Sequence, residues 1–138
     1  MRMDESTCRR RFASARVATL ATFGPHGPHQ VPFVFVVEGS RIISAVDQKP
    51  KRSRDLARLR NIVTDPRVSA LADHYTEDWD SLWWVRADGT ARIVTARSAV
   101  ATAVAGLAER YPQYASQPPV GPIVEISVER WVGWAANG

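Results

Sequence analysis

The sequence predicts a mainly β fold with flanking helices, an antiparallel barrel built as one domain over residues 1–138. Three observations point there. Seven short stretches are apolar and β-branched and are separated by meander-like turns. Only three stretches carry helical spacing of apolar residues. Hydrophobic residues make up 45% of the 138, enough for one core, and the 23% charged fraction is too ordinary for disorder.

In chain order, residues 4–14 read as a short charged helix, and Arg16–Thr22 as a strand. Phe23–His29 is a Gly- and Pro-rich turn. Gln30–Val37 is a second strand with Val31, Phe33 and Phe35 on one face; both faces are apolar, so it is central or lines the barrel. Pro32 lacks an N–H and requires a bulge or an unpaired edge there. Glu38–Ser40 turns the chain into a third strand, Arg41–Val46. Lys49 precedes a proline and is extended. Ser53 is a plausible N-cap for a helix that places Leu56, Leu59 and Val63 on one face and stops at Asp65-Pro66. Arg67–Tyr75 is a strand and Thr76–Asp80 an acidic loop. Ser81–Ala96 reads as a hairpin about Asp88-Gly89. A helix over Ser98–Tyr111 turns Val100, Val104, Leu107 and Tyr111 to one side. A Pro-rich loop then leads to a last strand, Ile123–Ala136.

Charge is the most informative feature. The chain holds 18 basic residues, and its only lysines are Lys49 and Lys51. The stretch Asp47–Asn61 carries six basic and two acidic residues, a net of +4 that equals the net charge of the whole chain. It runs from a strand end into a helix start. Helix N-termini present unpaired N–H groups and a positive dipole end, so an anion there meets backbone donors and side-chain cations together. Lys49, Lys51, Arg52 and Arg54 are therefore candidates to hold a phosphate or carboxylate, with Arg58 one turn further on. The bland alternative is a solvated helix face.

Other chemistry is missing from the pattern. "GPHG" at Gly24–Gly27 leads into a strand and lacks nucleotide-fingerprint spacing. The histidines have no metal-ligand spacing, and Asp73–Asp80 does not follow a calcium-loop pattern, so no metal is assigned. No nucleophile elbow occurs, and no catalytic residue is assigned. Cys8 precedes three arginines, which favours a thiolate, but near the terminus it reads as a mobile bystander. A single cysteine, no apolar h-region and no run near the ~18 apolar residues of a membrane helix suggest a cytoplasmic protein without membrane partners. Trp83 and Trp84, adjacent on a strand, point to opposite faces; one leaves the interior for a planar-ligand pocket or a subunit interface.

The motifs "VATLAT…GPHQVPFVF", "RIISAV…KPKRSRDLARLRNIVTDPRVSAL" and "LWWVRADGTARIV" resemble the pyridoxamine-phosphate-oxidase-like split β-barrel superfamily nearly end to end. Lys51 to Ser69 is the most specific part. The subgroup it resembles is that of coenzyme F-420-dependent (deazaflavin) oxidoreductases. The resemblance implies an antiparallel split β-barrel and a homodimer with two cofactor sites at the interface. It implies a cofactor phosphate beside Lys49, Lys51, Arg52 and Arg54. The ring would lie near Pro32 and the backbone of Ser44, Ala45 and Val46. One departure stands out. Pyridoxamine phosphate oxidases end in an Arg-Leu-x-Pro-type tail, whereas this sequence ends Trp134-Ala-Ala-Asn-Gly138, which argues against the pyridoxal pathway.

Three functional readings follow. The first is an oxidoreductase that moves a hydride to or from a small organic substrate with F-420, flavin mononucleotide (FMN) being the alternative cofactor. The second is a non-catalytic module binding an anionic cofactor or nucleic acid; the basic stretch has no interleaved aromatics for base stacking, so no nucleic-acid partner is assigned. The third is a cofactor carrier without turnover.

Overall fold

The structure is a computed structural model that describes residues 1–46 and 53–137. Its seven strands form one antiparallel sheet in the order β2-β1-β5-β6-β7-β4-β3. The strands are β1 (Ala18–Gly24), β2 (Gly27–Phe33), β3 (Val36–Glu38), β4 (Arg41–Ala45), β5 (Arg67–His74), β6 (Trp83–Val94) and β7 (Ile123–Ala135). The helices are α1 (Glu5–Ser14), α2 (Ser53–Thr64), α3 (Arg97–Arg110) and the short α4 (Pro112–Ser116). The mainly β class with flanking helices is as the sequence predicts.

Alternation along the strands builds the core. Leu20, Val31, Phe33, Ala70, Val85 and Ala87 alternate with more exposed neighbours and meet in one cluster. Helix α1 closes that cluster. Asp4 caps it by accepting the N–H of Thr7 at 2.8 Å, and Cys8 and Phe12, four residues apart, turn inward. Phe12 packs on Phe35 at 4.9 Å and edge-on to Trp131 at 5.6 Å between ring centroids. A second cluster joins Leu107 and Tyr111 at the end of α3 to Ile43 and Ala45 of β4 and Ile123 of β7.

Several expectations need correction. The hairpin about Asp88-Gly89 does not form: β6 runs unbroken through it, paired with β5 on one side and β7 on the other, with a register shift at Asp88/Gly89. A Cβ at Gly89 would collide with the backbone carbonyl of Ser127, so glycine here serves close strand approach at a bulge and not a turn. The turn over Phe23–His29 shrinks to Pro25-His26, with Gly27 at φ +113°. The strand Gln30–Val37 breaks after Phe33 and resumes as β3 at Val36. Its first part, β2, ends the sheet order, which satisfies the edge requirement of Pro32 and rules out a central strand. Val63 is 75% exposed; α2 instead turns Arg58, Asn61 and Ile62 inward. Cys8 is fully buried, and desolvation pushes its thiol pKa up, away from thiolate. The predicted extended conformation at Lys49 lies outside the described residues.

Candidate functional site

The segment from β4 into α2 is the candidate site. Strand β3 pairs with β4 only as far as Ile43, opposite Val36. Beyond that point, among the described residues, Ser44 and Ala45 have a strand partner on one side alone, where Ser44 faces Val124 and Ala45 faces Ile123 of β7. The Ser44 hydroxyl donates to the Val34 carbonyl at 2.8 Å, and the Val46 N–H to the Pro122 carbonyl at 3.0 Å. Ser44 and Ala45 are buried, and Val46 at the end of the edge is partly exposed.

The Ser44–Val34 bond also ties the edge to Pro32. Pro32 is exposed on β2, two residues before Val34, and its Cα partner is Thr19. The Val34-Phe35 link is gripped from the other side by the end of α3. Phe35 donates its N–H to the Tyr111 hydroxyl at 3.1 Å, and its carbonyl accepts from Tyr111 at 2.9 Å and from Arg110 Nη1 at 2.7 Å. This clamp removes Phe35 from strand pairing and ends β2. Burial lowers the pKa of Arg110, with Arg16 nearby adding to that direction, yet both guanidiniums lie over the Tyr111 ring and bond to carbonyls.

Lys49, Lys51 and Arg52 lie outside the described residues. Arg54 falls in the first turn of α2, and its side chain likewise lies outside them. Arg58 is 7% exposed and belongs to the packing of α2 on the barrel, not to an open row of cations. Helix α2 is held against β1 by Asn61, whose Nδ2 donates to Thr22 Oγ1 at 3.0 Å with both residues buried. Its amide sits so close to Gly24 that a Cβ there would lie 3.2 Å from Nδ2. Among the described residues no group of His, Cys, Asp and Glu is arranged to hold a metal.

Two grooves mark the surface of the described residues. One, about 680 Å³, lies between the β1–β2 hairpin and the second half of α2. The other, about 650 Å³, runs over the outer face of β5, β6 and β7 and is lined by Leu71, Tyr75, Trp84, Arg86 and Trp134. Trp84 and Trp134 are direct cross-strand partners on that face. Trp83 also borders this groove, but it packs partly against the core, with the Arg11 guanidinium 5.5 Å from its ring. Beside the groove, Asp88 accepts from Ser69 at 3.0 Å and from Arg86 at 2.9 Å, with Arg130 at 3.6 Å.

Compared with known protein families, residues 5–135 match the model described as pyridoxamine 5'-phosphate oxidase. The chain belongs to that family. The family is one of flavin-binding oxidoreductases, and its split β-barrel is the seven-stranded sheet described above. No curated protein matches the sequence. Among solved structures, the chain is similar to the conserved hypothetical protein Rv2991 of Mycobacterium tuberculosis, at 27% identity and TM-score 0.78, over 97% of this chain and 86% of that one. It shares its fold with a FAD-binding protein of Mesorhizobium loti, at 15% identity and TM-score 0.76, over 96% and 95% of the two chains. A FAD binding protein of Mycobacterium smegmatis is similar at 18% identity and TM-score 0.64, over 96% and 93%.

What sequence reasoning missed was the tertiary support of the site. Tyr111 is legible as an inward helix residue, but nothing local says that its hydroxyl clamps Phe35. Asn61 is a polar residue in a helical stretch, and only its docking on Thr22 turns it inward.

Proposed function

We propose that this member of the pyridoxamine 5'-phosphate oxidase family is an oxidoreductase that uses coenzyme F-420, with FMN as the alternative, to move a hydride to or from a small organic substrate. The observation that carries the reading is the meeting of two features at one place. Among the described residues the Ser44–Val46 edge loses its β3 partner past Ile43 while keeping β7, and the chain returns from it at the start of α2. The intervening segment holds both lysines of the sequence. A planar ring against a free backbone edge and an anion at a helix N-terminus are what those features suit. Two structural neighbours are named for binding FAD, which supports an isoalloxazine-like ring.

The residues that would hold the cofactor are the backbone of Ser44, Ala45 and Val46 and the exposed Pro32 along the ring. Lys49, Lys51, Arg52 and Arg54 would hold its phosphate. When bound, the ring supplies the hydride chemistry. The chain's own part is to bind, orient and exclude water. Tyr111 and Arg110 hold the Val34-Phe35 link, and Asn61 holds α2, so the two halves of the site keep a set distance.

The preference for F-420 rests on the number of cations. One phosphate is satisfied by two or three, and the loop and first turn carry four. Arg58 does not extend the row, because it is buried. The test is titration of F-420 and FMN at one salt concentration, with the wild type and with Lys49→Glu/Lys51→Glu. F-420 is expected to bind more tightly, and the double variant to lose affinity; each lost charge-assisted contact is worth about 1.5–3 kcal/mol. Tighter FMN binding transfers the reading to the flavin, and an unchanged double variant rejects the cradle.

We also propose a two-fold homodimer formed through the outer face of β5, β6 and β7, bringing residues of both chains to each cofactor. That face exposes 41% of Trp134 and 73% of Tyr75, aromatic surface of the kind that fills interface cores.

A further inference from the structure

The groove between the β1–β2 hairpin and α2 lies at the other end of α2 from the proposed cofactor anion. Its electrostatics are settled by a pairing inside it. The carboxylate of Asp65 accepts from Arg67 Nε at 3.0 Å and from Arg67 Nη2 at 2.7 Å. Arg67 itself lies over the Phe23 ring at 4.8 Å. That bidentate pair consumes the carboxylate that lines the groove. Arg60 and His26 also line it, and among the described residues neither has a hydrogen-bond or ion-pair partner. His29 also lines the groove, but its Nδ1 is shielded from it and is without a hydrogen-bond partner among the described residues.

The remaining wall is mostly apolar, with Phe23, Pro25, Pro28 and Ala57, and Asn61 and Thr64 are its polar members. At about 680 Å³ the space is within the range of small-molecule sites. The C-terminal end of α2 opposes an anion. That opposition is weakened because the Asn61 carbonyl already accepts the Asp65 N–H at 2.8 Å.

We propose that this groove binds a small carboxylate with a planar apolar body, its charge taken by Arg60 and its body by Phe23 and the two prolines. The site is independent of the cofactor reading, since none of its residues belongs to the cradle at the start of α2.

The probe is benzoate, titrated into the intact protein while the imidazole signals of His26 and His29 and the amide of Gly27 are followed by NMR. Benzyl alcohol, which keeps the ring without the charge, and acetate, which keeps the charge without the ring, are run alongside. The expected result is a saturable shift with benzoate, with benzyl alcohol and acetate each at least tenfold weaker. Arg60→Glu is expected to weaken benzoate at least tenfold, and Arg60→Gln by less. Arg60 is exposed, so neither variant disturbs the core. Lys49→Glu/Lys51→Glu is expected to keep benzoate binding, which separates this site from the cofactor. The proposal is overturned by a linear shift, by equal responses to benzoate and acetate, or by an unchanged affinity in Arg60→Glu.

Discussion

The Tyr111 hydroxyl occupies the place of a strand partner for Phe35: it accepts that residue's N–H at 3.1 Å and reaches its carbonyl at 2.9 Å. One side chain from the end of α3 thus satisfies both backbone groups of a buried residue 76 positions away. Removing the hydroxyl leaves the Phe35 N–H without an acceptor, while Arg110 still serves the carbonyl. Tyr111→Phe is expected to cost about 1–3 kcal/mol, the range for a buried group left unpaired. Urea denaturation measures it; wild-type stability in the variant would show that the clamp is incidental.

Gly89 and Gly106 make opposite predictions from the same chemistry. A Cβ at Gly89 runs into the Ser127 backbone, which cannot swing aside, whereas at Gly106, inside α3, it meets nothing within 4 Å. Gly89→Ala is expected to destabilise by about 1–3 kcal/mol or more, as overpacking does. Gly106→Ala is expected to stabilise by about 0.5–1 kcal/mol, since alanine loses less entropy in a helix. Thermal melting of the two variants checks both signs together.

Acid should act in part through Asp4 and Asp65. The Thr7 backbone N–H at the start of α1 holds the Asp4 carboxyl below the usual carboxylate range, and the hydrogen bonds from Arg67 do the same for Asp65. A carboxyl with a lowered folded-state pKa adds stability that is complete above its ordinary pKa and is lost as pH falls through the lowered value. Asp4→Asn keeps a capping side chain without a titrating group. Its stability is expected to fall less steeply than that of the wild type on the acid side, with no difference in slope near neutrality. Denaturation curves between pH 2 and 7 are the measurement, and identical acid slopes would remove Asp4 from the account.

The outer sheet face carries the assembly prediction. Trp134→Glu puts a charge beside Trp84 at the centre of the proposed two-fold contact. Light scattering at micromolar concentration is expected to give a dimer for the wild type and a monomer for the variant, with circular dichroism unchanged. A wild-type monomer rejects the interface.

Much of the fold was legible because it is written in local period. Apolar, β-branched composition marked Arg67–Tyr75 and Ile123–Ala136, and the observed strands differ from them only at the ends. The spacing of Leu107 and Tyr111 marked the inward face of α3 correctly. The concentration of lysine between a strand and a helix is a property of composition and order, so the sequence by itself determined the candidate cradle. Tertiary structure decided whatever depended on a partner far along the chain. Asp88-Gly89 has the chemistry of a turn, but ladders on both sides and the approach of Ser127 make it a bulge in a straight strand. Phe33 and Phe35 share one strand period, but the Tyr111 hydroxyl and the Arg110 guanidinium break the strand between them. Val63 fits an apolar helical stripe, and yet α2 turns Asn61 inward, because Thr22 offers a buried hydrogen-bond partner that no periodicity of α2 can announce. Local spacing reports which face a residue shares with its neighbours; which face is buried depends on the surface it meets, and that surface comes from elsewhere in the chain.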